Sequence, residues 1–515
     1  MKLLHQSPFL RPLLFLVLGI IIQFHWDISF PVVLPVFLLS IVFILLSYLP
    51  QLNKQYNFRF LFGLGFSMLL VASGIFLTKI TWEKSEWRVD PATYLYEGQV
   101  LEEPVLKPKT YLCKVRIAAA EEAVCQQAVD KQVVIYIPID SLSLRIVAGE
   151  TLSFYARLEQ SPPYLQKQSF AATGFIRKNN WSLEPEKKQS FSIRLQALSV
   201  RRDLLVRLQE IIPDHSSYAV AAALMFGYRN EIDKDLQQAF INIGAAHILA
   251  ISGSHFSILF GMLYFMLSFI GNSRKGKLIK QFILFPLIWG FAFLTGFSPS
   301  VIRAALMLSI WGIGDAFFYK SFSLNTVAIA AFFMLLFNPL YLFDVGFQLS
   351  FLAVASIILF NPYLVRLYKS RNPMIQYTWE LCCVSVSAQI GVLPVSIYYF
   401  HQIPVIFLAT NICLIPLSAI LLFLIPVSLL FHALLGAFPL ILFPLNKALA
   451  FFISITRALD QIPYGNIYSV EPGVWGMTAL FLSIVLISLI LFKKRVVYVY
   501  LLLIFGLFQV IYYLC

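Results

Sequence analysis

A mainly apolar run, Gly244-Ala-Ala-His-Ile-Leu-Ala-Ile-Ser-Gly-Ser-His-Phe256, carries two histidines and two serines. Ser252 and His255 are three residues apart, hence neighbours if the segment is helical, and Gly253 between them makes a break possible. A serine beside a histidine could act as a nucleophile with its base. No carboxylate stands nearby in sequence to orient the histidine, so an intramembrane hydrolase is the weakest reading. Hydrogen bonding is the other chemistry. Hydrocarbon solvates neither imidazole nor hydroxyl, so His247, Ser252 and His255 either bond to backbone within a helix bundle or line a wet path. Both readings stand on the residues alone.

Three further groupings lie downstream. In Thr295-Gly-Phe-Ser-Pro-Ser-Val-Ile-Arg303, Pro299 can start a helix that Ser298 caps, with Arg303 one turn inside. An arginine facing lipid is costly, so Arg303 faces protein or water. Its partner is either Asp315 or Asp344 in an ion pair, or a phosphate, which a guanidinium suits well. Asn338-Pro339 marks a turn, and Gln348 beyond it sits in apolar surroundings and needs a partner. Gln389 leads through Pro394 to His401 and Asn411, and prolines at 394, 404, 416 and 426 imply interrupted helices, common in transport paths. Arg229, in Phe226-Gly-Tyr-Arg-Asn230, is placed to meet phosphate at a membrane surface. No Walker A motif, G-x-S-x-G elbow, HxH or HxxxH pair, or zinc-spaced Cys/His cluster is present, so neither cofactor, metal nor enzymatic activity is expected.

The elements that must position these residues are membrane helices. With 59% hydrophobic and 13% charged residues, the 515-residue chain reads as a polytopic α-helical membrane protein of about 13 spans. The net charge of +13 is explained mainly by basic cytoplasmic loops. Three spans, about 13–24, 31–49 and 60–80, form an N-terminal part over residues 1–82, the first read as uncleaved. Ten more follow from 247 to 515, about 247–271, 281–297, 301–319, 322–337, 342–364, 375–399, 404–428, 436–458, 473–492 and 496–514. One orientation, with the N-terminus cytoplasmic, puts Lys2, Arg11, Lys54, Arg59, Arg274, Lys275, Lys277, Lys280, Lys320, Arg366, Lys369, Arg371 and Lys493-Lys494-Arg495 all inside.

Residues 83–189 differ, with frequent charges and short β-prone runs at about 96–103, 110–118, 132–138, 151–159 and 174–183. Five short strands suggest a small external barrel, OB-like. A hairpin turning near Ala119 would bring Cys113 opposite Cys125, and a disulfide is the expectation there in an oxidising outside compartment. Basic and acidic residues nearly balance over 81–210, which speaks against a strong nucleic-acid field on this domain. Residues 190–246 read as connecting amphipathic helices along the membrane surface.

Gly227-Tyr-Arg229, then Phe240 and Gly244-Ala-Ala-His247 through Ser252-Gly-Ser-His255, resemble the signature of ComEC-type competence proteins, inner-membrane channels for transforming DNA. Thr295–Arg303-Ala, Asn338-Pro339 with Gly346-Phe-Gln-Leu-Ser-Phe351, and Ala388-Gln389 with Leu393-Pro394 and Phe400-His401 resemble its later blocks in the same order. The chain departs from the pattern at Ser254 and Phe256, and at Ser161-Pro-Pro163 with Phe170. It also shows no H-x-H-x-D-H motif of the metallo-β-lactamase-like domain found in many relatives. The resemblance implies transport of single-stranded DNA across the bacterial cytoplasmic membrane past Arg229, His247, Ser252, Gly253, His255, Arg303, Gln348 and Gln389. It further implies a periplasmic DNA-binding protein, a cytoplasmic helicase and a separate nuclease as partners besides membrane lipid. A homodimer is a further expectation. Transport of another anionic solute is the alternative.

Overall fold

The computed structural model describes residues 7–493 and residue 501, apart from 50–59, 86, 88–91, 123–124, 141, 163–164, 166–169, 185–192, 250, 252, 318–323, 437–438, 464 and 469–472. Its helices are α1 (Leu10–Trp26), α2 (Phe30–Ser47), α3 (Phe60–Ser85), α4 (Ile193–Ile211), α5 (His215–Phe226) and α6 (Lys234–Asn242). They continue with α7 (Ala246–Leu249), α8 (Gly253–Met266), α9 (Arg274–Leu294), α10 (Pro299–Ala316) and α11 (Leu324–Phe337). The last are α12 (Val345–Leu364), α13 (Pro373–Phe400), α14 (Phe407–Leu435), α15 (Pro439–Asp460) and α16 (Gly473–Lys493). Among the described residues, eight helices are long and apolar enough to cross a membrane, and α1, α8 and α11 are shorter apolar helices. The expected last span, 496–514, lies outside the described residues.

Two compact units divide the chain, Met1–Glu210 with Phe256–Asp344, and Ile211–His255 with Val345–Cys515. In the first, α1 packs on α3 at an approach close enough that a Cβ on Gly74 would lie 3.0 Å from the Ile20 amide nitrogen and 3.1 Å from the Gly19 Cα. Small residues let membrane helices gain van der Waals contact where lipid supplies no hydrophobic drive. Phe24 stacks on Phe343 with centroids 3.9 Å apart, and the Phe9 amide donates to Asn325 Oδ1 at 2.9 Å.

The same unit holds the β domain: β1 (Thr93–Val100), β2 (Val105–Leu106), β3 (Thr110–Glu122), β4 (Cys125–Pro138), β5 (Thr151–Gln160), β6 (Ala172–Phe175) and β7 (Trp181–Leu183). Five of them close in the order β1-β3-β4-β6-β5, with β5 pairing back to β1 and β4–β6 the parallel pair. Alternate residues fill the barrel: Cys113, Val115 and Ile117 on β3, Val133, Ile135 and Ile137 on β4, Leu152, Phe154, Ala156 and Leu158 on β5. Register shifts at Glu97/Gly98 and Ile117/Ala119 add the bends that closure needs.

Two sequence expectations are corrected here. The β3–β4 hairpin runs on past Ala119, and Cys113 faces Ile135 while Cys125 faces Glu122. The two cysteine backbones therefore sit at opposite ends of the hairpin, about 30 Å apart by strand rise, and a disulfide spans less than about 7 Å. Cys113 is a free, buried thiol, pushed by burial up to about 12, and the Cys125 side chain lies outside the described residues. The expected strand at 174–183 is two, β6 and β7, separated by a turn with Asn179 left-handed at φ 72°.

A third difference concerns Lys277 and Lys280, expected in a solvated loop. Both lie in α9, whose N-terminus Ser273 caps by accepting from the Gly276 amide. Lys277 pairs with Asp315 at 2.9 Å. Lys280 is 1% exposed, donates to Asn272 Oδ1 at 2.9 Å and stands 4.9 Å from the Tyr264 ring centroid.

The second unit is organised on α5, an alanine-rich helix whose residues Ser217–Phe226 are all buried. Its small side chains admit α14 and α15 closely. Asp214 caps it by accepting from the Ser217 amide at 2.9 Å, and the bond to the Ser217 side chain first, with that amide second, holds the Asp214 carboxyl below its ordinary range.

Candidate polar entrance and buried arginine

The segment from Gly244 to His255 is a broken helix in the second unit rather than one span from 247 to 271. Gly244 ends α6 left-handed at φ 74°, the Ala245 amide reaches back to the Phe240 carbonyl at 2.8 Å, and α7 begins at once. Ile248 and Leu249 are buried, whereas His247 is exposed, its Nδ1 3.0 Å from the Gly244 carbonyl. After the break α8 begins at Gly253, and His255 at its first turn is 1% exposed. Ser252 lies outside the described residues.

The break is held by distant residues. A Cβ on Gly244 would stand 2.8 Å from both Cβ and Cγ of Pro404, so only glycine seats there. Pro404 belongs to β8 (Gln402–Pro404), which pairs antiparallel with β9 (Asn466–Tyr468). Asn242, at the end of α6, donates to Asp460 at 2.8 Å and accepts from the Tyr468 hydroxyl at 3.1 Å. Asn466 donates to Gln402 at 3.1 Å. These polar supports were missed from sequence, because each lies roughly two hundred residues from the segment and no local pattern marks it.

Arg229 is exposed, in the loop that leaves α5 through Gly227, left-handed at φ 69°. The Gly227 and Tyr228 amides close the helix onto Ala223 and Ala222, and His215 with Glu231 at 3.2 Å ties the loop back. Gln348 and Gln389 are half-buried on the α12–α13 pair. A Cβ on Gly391 would meet Ser356 and lie 2.9 Å from the Leu352 carbonyl, which fixes how the antiparallel helices face. By that register the two glutamines are offset by about 12 Å along the axis and do not meet.

Arg303 belongs to the first unit, on α10, whose N-cap is Ser298 without a side-chain cap bond. It is 4% exposed, and its Nε has no hydrogen-bond partner. Asp315 is engaged by Lys277, which removes one of the two expected ion-pair partners. Asp344 and Tyr341 act on the charge of Arg303, yet among the described residues no carboxylate comes within 4.0 Å of it. The Nε–H of Arg303 is thus a buried donor without an acceptor.

A family model of competence proteins matches residues 224–495, just over half of the chain. The chain belongs to the competence protein family. Over 233 residues it is 32% identical to ComE operon protein 3 of Bacillus subtilis, covering 45% of this chain and 28% of that protein. Recombination protein 2 of Haemophilus influenzae is 24% identical over 237 residues, 44% of this chain and 30% of its own length. An uncharacterized Escherichia coli protein, YcaI, is 26% identical over 233 residues, 42% of this chain and 30% of its own length. The matches thus span less than a third of the length of each of these three relatives. No solved structure matches the chain at a significant level.

Proposed function

We propose that this competence protein conducts single-stranded DNA across the bacterial cytoplasmic membrane as a channel, without a catalytic step of its own. The observation that carries the reading is Arg303, buried in an apolar helix bundle with an unpartnered Nε. A cation kept there without a contact ion pair is costly unless an anion visits it. The interruptions at Gly244 and Ile251 support the reading, since interrupted helices bring backbone polar groups to a wet path. His247, Ser252, Gly253, His255, Gln348 and Gln389 line or brace that path, and Arg229 meets phosphate at its mouth. Bases slide past without sequence readout.

In this proposal the N-terminus is cytoplasmic and the barrel, OB-like in its strand order and its parallel β4–β6 pair, stands outside. A periplasmic DNA-binding protein delivers the strand, a cytoplasmic helicase pulls it, and a separate nuclease removes its complement. A second copy of the chain completes the assembly. The buried arginine serves another anionic solute equally well, so the test must read DNA itself. Import of labelled DNA and transformation frequency are measured in strains carrying wild type, Arg303→Ala and Arg303→Lys at equal membrane levels. Arg303→Ala should lose at least about tenfold, roughly 1.4 kcal/mol of path stabilisation, with partial retention in Arg303→Lys. Wild-type import by Arg303→Ala overturns the proposal.

A further inference from the structure

Outside the membrane helices, the loop between β1 and β2 carries adjacent carboxylates, Glu102 and Glu103, and both are held by α4. Glu102 bonds to Lys114 at 2.8 Å and to Arg194. Glu103 faces Arg201 at 3.4 Å, the two side chains only 15% and 11% exposed. Arg194 and Arg201 are seven residues apart, two turns along one face of α4. Between them the buried Leu198 lies against the Gly296 turn, 3.1 Å from where a Cβ on Gly296 would stand, with Arg201 Nη1 at 3.7 Å. That turn opens the helix that carries Arg303. Tyr341 feels the charges of Arg194, Asp344 and Arg303 together. The arginines of α4 and the buried arginine of α10 are therefore gathered around the same turns of one unit.

We propose that Arg194 and Arg201 form a binding site for nucleic-acid phosphates, and that Glu102 and Glu103 occupy it as an internal mask that single-stranded DNA displaces. A carboxylate and a phosphate present the same oxygen pair to a guanidinium fork, so either can fill it. The two carboxylates are held unequally. Burial raises Glu102, but Lys114 and Arg194 override it and keep the carboxyl below its ordinary range. Burial of Glu103 outweighs the pull of Arg201 and Arg202, and its carboxyl is raised. A charge worse off in its site than in water does not hold the fold together, whereas a polyanion bringing several charges gains at the same arginines. The loop concerned starts the connection from β1 through the short β2 to β3, the first connection of the barrel and a place where OB-type barrels bind oligonucleotides. Here that loop is turned onto α4 instead, which explains how a domain with balanced charge can still contribute a basic site once the acidic pair leaves.

This inference rests on the DNA reading, and the test separates the two. The purified full chain in nanodiscs is titrated with a fluorescein-labelled oligothymidylate at several salt concentrations. Glu102→Gln with Glu103→Gln should bind at least about fivefold tighter. Two newly available arginines should steepen the salt dependence by about 1.4 in log–log slope. Adding Arg194→Gln and Arg201→Gln should abolish the gain. Glu103→Gln alone, which removes the less favoured charge, should show part of it and guards against a double variant that fails to fold. Unchanged or weaker binding in both glutamine variants, with wild type still binding, overturns the mask and leaves the DNA reading standing. A gain that survives loss of both arginines, or that appears only with anionic lipid in the nanodisc, also overturns it. No binding by wild type or any variant overturns the DNA reading itself.

Discussion

Replacing Gly244 by alanine tests whether the break before His247 is built or incidental. At φ 74° an L-residue is strained by about 1–2 kcal/mol. The new methyl would stand 2.8 Å from two ring carbons of Pro404, about 1 Å inside the optimum for carbon atoms. Pro404 cannot swing away, because β8 is paired to β9 and the Val405 amide donates to the Gly465 carbonyl at 2.9 Å. Overpacking of that kind costs about 1–3 kcal/mol, so the total is about 2–5 kcal/mol. Gly227→Ala supplies the control. Its φ is 69°, but the nearest atom is the flexible end of Ile251 at 3.1 Å, and only the strain of about 1–2 kcal/mol is expected. Unfolding by denaturant, followed by tryptophan fluorescence, measures both. In a Pro404→Gly background the cost of Gly244→Ala should fall by the overpacking share, about 1–3 kcal/mol. Equal costs for the two alanine variants, or strict additivity with Pro404→Gly, would refute the argument that β8 seats this segment.

Two other expectations concern groups that sequence alone misplaced. Cys113, free and pushed up to about 12, should resist iodoacetamide at pH 8 in the folded protein and react once unfolded, with identical mass before and after reduction. Because its folded value lies above the ordinary 9.0, stability tied to this thiol is intact below pH 9 and is lost as pH rises from there towards 12. A melting temperature unmoved between pH 9 and 11 in wild type relative to Cys113→Ala counts against the buried thiol. Lys280→Met keeps the apolar stem and removes the buried charge, so its melting point should match or exceed wild type. Asn272→Ala strips the ammonium of its acceptor and should cost about 1.5–3 kcal/mol. The reverse order of stabilities would show that Lys280 supports the fold through its charge.

The barrel was legible because alternation survives burial: Val115, Ile117, Val133 and Ile135 sit where a period of two places them. The length of its hairpin was not: a turn is expected near Ala119, whereas pairing continues from Ala119 opposite Ala128 to Glu122 opposite Cys125, beyond the core. That the stretch from Gly244 to His255 is interrupted was readable from its glycines, and the described interruptions are left-handed Gly244 before α7 and non-helical Ile251 before α8. Its anchors were not, because Asp460 and Tyr468 reach Asn242 across 218 and 226 residues of chain. Charge was the least reliable signal. Lys277 and Lys280 looked like loop markers, yet the first reaches Asp315 and the second is buried beneath Tyr264.

Where this chain uses charge to tie elements together, it does so at contact: Lys277 on Asp315 at 2.9 Å, Lys79 on Asp27 at 2.7 Å, Arg116 on Asp130 at 2.5 and 3.0 Å. Arg303 is better buried than any of these and has no carboxylate within 4.0 Å among the described residues, while Arg201 meets Glu103 only at 3.4 Å. Burial should make loose pairing more expensive, not less. A sequence that closes Lys277 on Asp315 yet leaves the more deeply buried Arg303 without a contact carboxylate is not optimising the empty protein. That arrangement fits a visiting anion at Arg303, and it puts the weight of the functional reading on that arginine rather than on the histidines.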